Sequence, residues 1–174
     1  TVLILGGSGR IGSSVALDLL QHTEANLRIG GRNETVGQMV CDRLGSRCQF
    51  YPVDLEETTA LQPAIAGVDL VIHCAGPFHY RDTQVLQTCI ANGVNYVDVS
   101  DHPSFTRKVR ECGPQAQAAG ITAIVNTGIF PGISNSLVRQ DVEQLDTADS
   151  IHLSYVVGGS GGAGGGFAPP PSGS

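Results

Sequence analysis

The stretch Val2-Leu3-Ile4-Leu5-Gly6-Gly7-Ser8-Gly9-Arg10-Ile11-Gly12 decides the fold. Its four apolar residues read as a short buried strand, and residues 10–21 carry Ile11, Val15, Leu19 and Leu20 on a helical period. Between them lies the G-x-G-x-x-G spacing of Gly7, Gly9 and Gly12. Glycines at that spacing are a weak signal alone, but a strand before them and a helix after them form the setting that holds a dinucleotide. Gly7 is expected to make the tight turn, Gly9 to let the pyrophosphate approach, and Gly12 to let the helix pack on the sheet. The pyrophosphate would then meet the positive end of the helix, among Ser8, Arg10 and Ile11.

Outward from this motif the rhythm repeats. Strands are predicted at residues 27–29, 48–53, 68–74, 96–99, 121–125 and 151–157, and helices at 34–44, 56–65, 81–92, 103–119 and 134–145. Alternation of this kind predicts an α/β fold, a Rossmann-type doubly wound parallel sheet with helices on both faces. Residues 1–148 are assigned to that domain. Residues 149–174 are read as the first strand of a second, truncated α/β domain plus a flexible tail, because residues 158–174 are dominated by Gly, Ser and Pro.

The end of the second strand selects the dinucleotide. An NAD site usually carries an acid there for the ribose 2′-hydroxyl. This chain has Gly31-Arg32-Asn33, with glycine for room and a planar cation suited to phosphate. NADP is therefore the expected cofactor and NAD the second choice. Asp54, after the third strand, is placed at the adenine or at the cap of the next helix. Ala75, Gly76 and Pro77 close the fourth strand and should border the cofactor crevice.

For chemistry, His79 and Tyr80 follow that loop and are the candidate proton donors. Asp98, Ser100 and Asp101, with His102 beside them, sit at the end of the fifth strand and are candidate substrate contacts. His73, inside an apolar strand, is read as a packed core residue. No His, Cys or acid set has metal spacing, so no metal is expected. The five cysteines (Cys41, Cys48, Cys74, Cys89 and Cys112) include no Cys-x-x-Cys pair and read as reduced, mostly buried thiols.

Composition excludes other classes. A net charge of −6 argues against a nucleic-acid partner, and 41% hydrophobic with 15% charged residues argues against disorder. No apolar run spans a membrane. Residue 1 is Thr and the single methionine is Met39, so the chain is expected to begin after a processed or trimmed segment. A cytoplasmic location, or an organellar stroma or matrix, is expected.

A set of segments in order resembles a known family: Leu5-Gly6-Gly7-Ser8-Gly9, Cys74-Ala75-Gly76-Pro77-Phe78, Gly93-Val94-Asn95-Tyr96-Val97-Asp98, Ala119-Gly120-Ile121-Thr122 and Pro131-Gly132-Ile133-Ser134-Asn135. Together they look like the NADP-binding half of the saccharopine dehydrogenase (saccharopine reductase-like) family. The resemblance implies an oxidoreductase that moves hydride between NADP(H) and a carbon–nitrogen bond, often of an amino-acid conjugate. It also implies a second domain, starting near residues 154–159, that binds the small-molecule substrate and forms a homodimer; this chain alone should then be inactive. Saccharopine reductases often carry Asp just before the Pro-Gly pair, where this chain has Phe130, which marks a divergent member. A non-catalytic NADP(H)-binding sensor or subunit is the alternative. A short-chain dehydrogenase is disfavoured, because no Tyr is followed four positions later by Lys.

Overall fold

The computed structural model describes residues 1–154. Six strands form one parallel sheet: β1 (Val2–Leu5), β2 (Leu27–Gly31), β3 (Cys48–Pro52), β4 (Leu70–His73), β5 (Asn95–Asp98) and β6 (Ala123–Ile124). Their order is β3-β2-β1-β4-β5-β6, so the chain winds outward from β1, returns, and winds outward again through β4. The crevice expected of such a sheet opens beyond the carboxyl ends of β1 and β4. Register places Leu5 beside Gly30 on one side and His73 on the other, so these strand ends stand level.

Helices α1 (Arg10–His22) and α2 (Glu34–Leu44) lie on one face, over Val2, Ile4, Leu27, Ile29 and Ile72. Helices α3 (Thr58–Ile65), α4 (Gln84–Asn92) and α5 (Pro103–Glu111) lie on the other, over Leu3, Leu5, Val71 and Tyr96. Adjacent residues of β1 thus serve opposite cores, which is why all four are apolar and buried. Two further α-helices follow, α6 (Gly113–Ala118) and α7 (Ile133–Val142), and a single 3-10 turn spans Phe78–Tyr80.

Three expected elements differ. The single helix predicted over residues 103–119 is broken at Cys112, because Pro114 has no N–H to donate and its ring opposes the carbonyl four residues back. Helix α4 starts at Gln84 rather than at residue 81, since the Asp82 side chain takes the Gln84 N–H in a turn and Arg81 is drawn away to Ala75 and Glu56. The last predicted strand does not form over residues 151–154; its remainder and the Gly/Pro-rich tail lie outside the described residues. No helix among the described residues is long and apolar enough to cross a membrane.

Candidate cofactor site

The glycine loop is built by close approach. Gly6 carries the left-handed backbone (φ 74), and a Cβ there would stand 2.9 Å from the Ala75 main chain. The turn expected of Gly7 therefore belongs to Gly6, while Gly7 provides room, since a Cβ on it would lie 2.9 Å from Ile29 Cγ2 and from the Ile4 carbonyl. A Cβ on Gly12 would lie 2.4 Å from the Gly6 carbonyl oxygen and 2.6 Å from Gly7 Cα. Gly12 thus packs the helix on the loop itself rather than on the sheet. Gly9 caps α1 with extended backbone and meets nothing nearer than the Gly6 carbonyl, 3.2 Å from a built Cβ.

This geometry leaves the first amides of α1 without an acceptor among the described residues. The Ser13 N–H is bonded to the Gly9 carbonyl, and the first turn of α1 contains no acid and no side-chain cap. The amides of Arg10, Ile11 and Gly12 precede the first intrahelical bond and face past the end of β1 with the helix dipole behind them.

Beside the loop lies a cavity of about 340 Å³, bounded by Ser8, Gly9, Gly31, Arg32, Asp54 and Gly76 among others. Gly31 keeps it open, because a Cβ there would stand 3.4 Å from Ser8 Oγ. Arg32 is exposed, and no acceptor or carboxylate among the described residues holds its guanidinium. Asn33 reaches the cavity while its Oδ1 accepts from the Val36 N–H and caps α2. Asp54 takes the Glu56 N–H in a turn; the cap position of α3 is Glu57, so Asp54 faces the cavity without being the helix cap.

The loop after β4 divides the crevice. Ala75 is held from both sides: its N–H donates to His73 Nδ1 at 3.3 Å, and its carbonyl accepts from Arg81 Nε at 3.0 Å. Arg81 is itself anchored to Glu56 at 2.9 Å. A cis peptide follows between Gly76 and Pro77. Cys74 and Gly76 border the first cavity and also a second one of about 380 Å³, lined by Ile11, Pro77, His79, Asp101 and His102. The His79 and His102 rings stand 5.6 Å apart there, with His102 Nδ1 2.8 Å from Ser104 Oγ. Tyr80 is 81% exposed and borders a different, smaller cavity, so although its ring packs on that of His79 with centroids 3.8 Å apart, only His79 lines the second cavity.

The end of β5 departs from expectation. Asp98 and Ser100 are fully buried. Asp98 accepts from the Tyr96 hydroxyl (3.0 Å), the Ser100 N–H (3.0 Å), the Ser100 hydroxyl (2.6 Å) and the Asn126 N–H (2.9 Å). Asn126, in the left-handed region at φ 62, donates in turn to the Ser100 carbonyl and hydroxyl and to Thr106 Oγ1. With their polar atoms committed inward, Asp98 and Ser100 cannot meet a substrate. Of the three acidic and hydroxyl candidates, Asp101 borders the second cavity.

The family model described as the saccharopine dehydrogenase NADP binding domain matches residues 2–124. The chain belongs to that family. A Bos taurus protein named alpha-aminoadipic semialdehyde synthase, mitochondrial, is 28% identical over 158 residues, covering 89% of this chain and 16% of the relative. A Mycobacterium tuberculosis protein bearing the name of a trans-acting enoyl reductase is 24% identical, covering 92% of this chain and 42% of the relative. Among solved structures, apo saccharopine dehydrogenase (L-Glu forming) from Saccharomyces cerevisiae superposes with a TM-score of 0.68 at 26% identity, over 82% of this chain and 30% of that one. The chain thus spans less than half the length of these relatives.

As a saccharopine dehydrogenase NADP-binding domain, the chain takes NADP as its cofactor. The structure offers what the dinucleotide needs: free first-turn amides, a cradle that any Cβ would fill, and an unengaged guanidinium beside a glycine. All five cysteines are free thiols; burial pushes Cys89 and Cys48 up to about 12, and burial with the Asp98 charge pushes Cys74, at the crevice, up to about 11. Among the described residues no three His, Cys or acidic side chains group as a metal site.

Among the described residues this saccharopine dehydrogenase-like domain is open at its far end. Both residues of β6, last in the described sheet, are exposed, as is Ile129 (65%), and Ile133 (58%) and Leu137 (53%) stand in water around a third cavity of about 630 Å³. Phe130, 45% exposed, precedes a cis proline at the foot of this region.

Proposed function

We propose that the chain is the cofactor-binding part of an NADP(H)-dependent oxidoreductase acting on a C–N bond of an amino-acid-type substrate. The observation that carries this reading is the divided crevice, with a phosphate-reading half at Arg32 and a proton-handling half at His79 on either side of Gly76. The names of the bovine relative and of the yeast structure support the C–N chemistry.

The amides of Arg10, Ile11 and Gly12 hold the pyrophosphate, with the Arg10 guanidinium as a second phosphate contact. Arg32 takes the ribose 2′-phosphate, with Asn33 beside it, and Asp54 lies toward the adenine. Bound NADPH supplies the hydride. Ile11 and Pro77 wall the second cavity against water. There the His79 imidazole gives or accepts the substrate proton, and Asp101 faces a substrate amine. Tyr80 serves that role only if the loop turns it inward.

The whole protein binds a small-molecule substrate and pairs as a homodimer through polypeptide beyond residue 148. The exposed apolar surface around the third cavity supports this, and this chain alone then binds cofactor with little turnover. The mitochondrial name of the bovine relative favours an organellar over a cytoplasmic location.

The test is calorimetric titration of the chain with NADPH and with NADH, repeated on Arg32→Ala. One charge-assisted bond to the 2′-phosphate is worth about 1.5–3 kcal/mol, so NADPH affinity should fall roughly 10- to 150-fold and NADH affinity should not change. Equal affinity for both dinucleotides in the parent overturns the phosphate reading. Phe130, where an Asp often stands in saccharopine reductases, favours a second reading, a non-catalytic NADP(H) sensor. Such a sensor binds NADPH, yet its full-length form never oxidises it with any imine or keto acid plus amine.

A further inference from the structure

Two buried nitrogens lack a partner among the described residues: His73 Nε2, at the end of β4, and Gln84 Nε2, on the first residue of α4. Both residues line the same cavity of about 40 Å³. An unpaired buried donor is costly, and two bordering one small space point to a shared acceptor. They are not bonded to each other.

The chemistry of the occupant follows from its surroundings. His73 Nδ1 accepts from the Ala75 N–H, so the ring proton of the neutral imidazole is on Nε2. That nitrogen is then a donor and no metal ligand. Glu56, Asp82 and Arg81 border the same space, and because the Arg81 guanidinium is already paired with Glu56 at 2.9 Å, the lining disfavours an anion. A cavity needs roughly 10–15 Å³ and two to four polar partners to hold one water, and both conditions are met. We propose that His73 and Gln84 bind one buried water here, and that His73, so fixed, positions the Ala75–Gly76 backbone that divides the cofactor crevice.

The remaining contacts of His73 are apolar and orienting. Its ring lies 5.0 Å from Phe78 and 6.4 Å from both Tyr96 and Phe105. The hydrogen bonds at its two nitrogens therefore orient the ring, and through Nδ1 it places the Ala75 N–H, while Arg81 holds the Ala75 carbonyl. The water and the Ala75 contact stand independently of the cofactor reading; the effect on NADPH affinity rests on it.

The test is nitrogen-15 NMR on the 174-residue chain and on Gln84→Met, His73→Asn and His73→Gln. The parent should show a His73 ring protonated at Nε2 and bare at Nδ1, with a cross-peak from its Nε2 proton to a bound water. Gln84→Met should lose that cross-peak. Asparagine places an oxygen near Nδ1 and glutamine places one near Nε2. Ala75 amide exchange should therefore stay within about threefold of the parent in His73→Asn and rise about tenfold in His73→Gln, the equivalent of one hydrogen bond. NADPH affinity should follow the same order. A proton on Nδ1, a cross-peak that survives in Gln84→Met, or equal Ala75 exchange in the two His73 variants overturns the proposal. If the parent binds no NADPH, the cofactor reading fails separately and Ala75 exchange still decides this one.

Discussion

Asp98→Asn removes a charge and almost no volume from the junction between β5 and the loop after β6. Three donors converge on Oδ1 (the Ser100 N–H, the Ser100 hydroxyl and the Asn126 N–H), and the Tyr96 hydroxyl donates to Oδ2. An asparagine oxygen keeps the first three as neutral bonds. Its NH₂ then faces the Tyr96 hydroxyl, which must turn and accept. Bonds to a charged group are worth about 1.5–3 kcal/mol and neutral ones about 0.5–1.5. Four weakened bonds, less the easier burial of a neutral amide, give a loss of about 2–4 kcal/mol. Asp98→Ala leaves all four donors facing nothing and should cost about 3–5 kcal/mol. Urea unfolding at pH 7.5 reads both values, and NADPH titration below the transition reads the site. The Asp98→Asn midpoint should drop by roughly 1–2 M for a slope near 2 kcal/mol per molar, with NADPH affinity unchanged within about twofold. An unmoved midpoint with weakened NADPH binding would refute the reasoning and return Asp98 to the ligand.

His73 makes stability depend on pH. Burial, and secondarily the Arg81 charge, depress its pKa from 6.5 to about 3. The unfolded chain binds the proton first, so this stability is complete above about 6.5 and is lost as pH falls toward 3. At pH 5 the loss is about 2 kcal/mol, from 1.36 kcal/mol per unit, and urea midpoints at pH 7.5 and 5 in the parent and in His73→Asn should differ by that slope. Gly12→Ala forces a Cβ to within 2.4 Å of a fixed carbonyl, so it should lower stability by about 1–3 kcal/mol and weaken NADPH binding, read by melting with and without cofactor. In the full-length protein, His79→Ala should lower turnover by about 10²-fold or more, while Tyr80→Phe, outside the second cavity, should stay within about twofold.

The sheet was readable from local pattern because its strands and helices announce themselves within a dozen residues, and the glycine spacing is equally local. The break at Cys112 was also readable, since Gly113-Pro114 cannot continue a helix, but the apolar period on both sides masks it. That Ser8, Gly31, Arg32, Asp54 and Gly76 would gather around one cavity was legible for the same reason as the fold: they follow strand ends. Asp98 was not. A carboxylate at the end of a parallel strand looks the same whether it serves a ligand or the core. What commits it inward is Asn126, 28 residues away, bending through a left-handed turn that no local signal near Asp98 reports. His73 was placed correctly in the core, yet its partner Gln84 lies on the next helix, and the space they share depends on how β4 and α4 dock.

The phosphate end of the crevice is specified by atoms that must be missing. Beta-carbons at Gly6, Gly7 and Gly12 would each collide with main chain. What the loop offers an anion is peptide N–H, which every residue type but proline carries. Tolerance to substitution there is consequently one-sided: neighbouring side chains can vary in chemistry, whereas a single added methyl is a physical obstruction. A saturation scan of residues 6–12 should therefore sort variants by size before polarity. That is the reverse of Arg32, where charge is what counts.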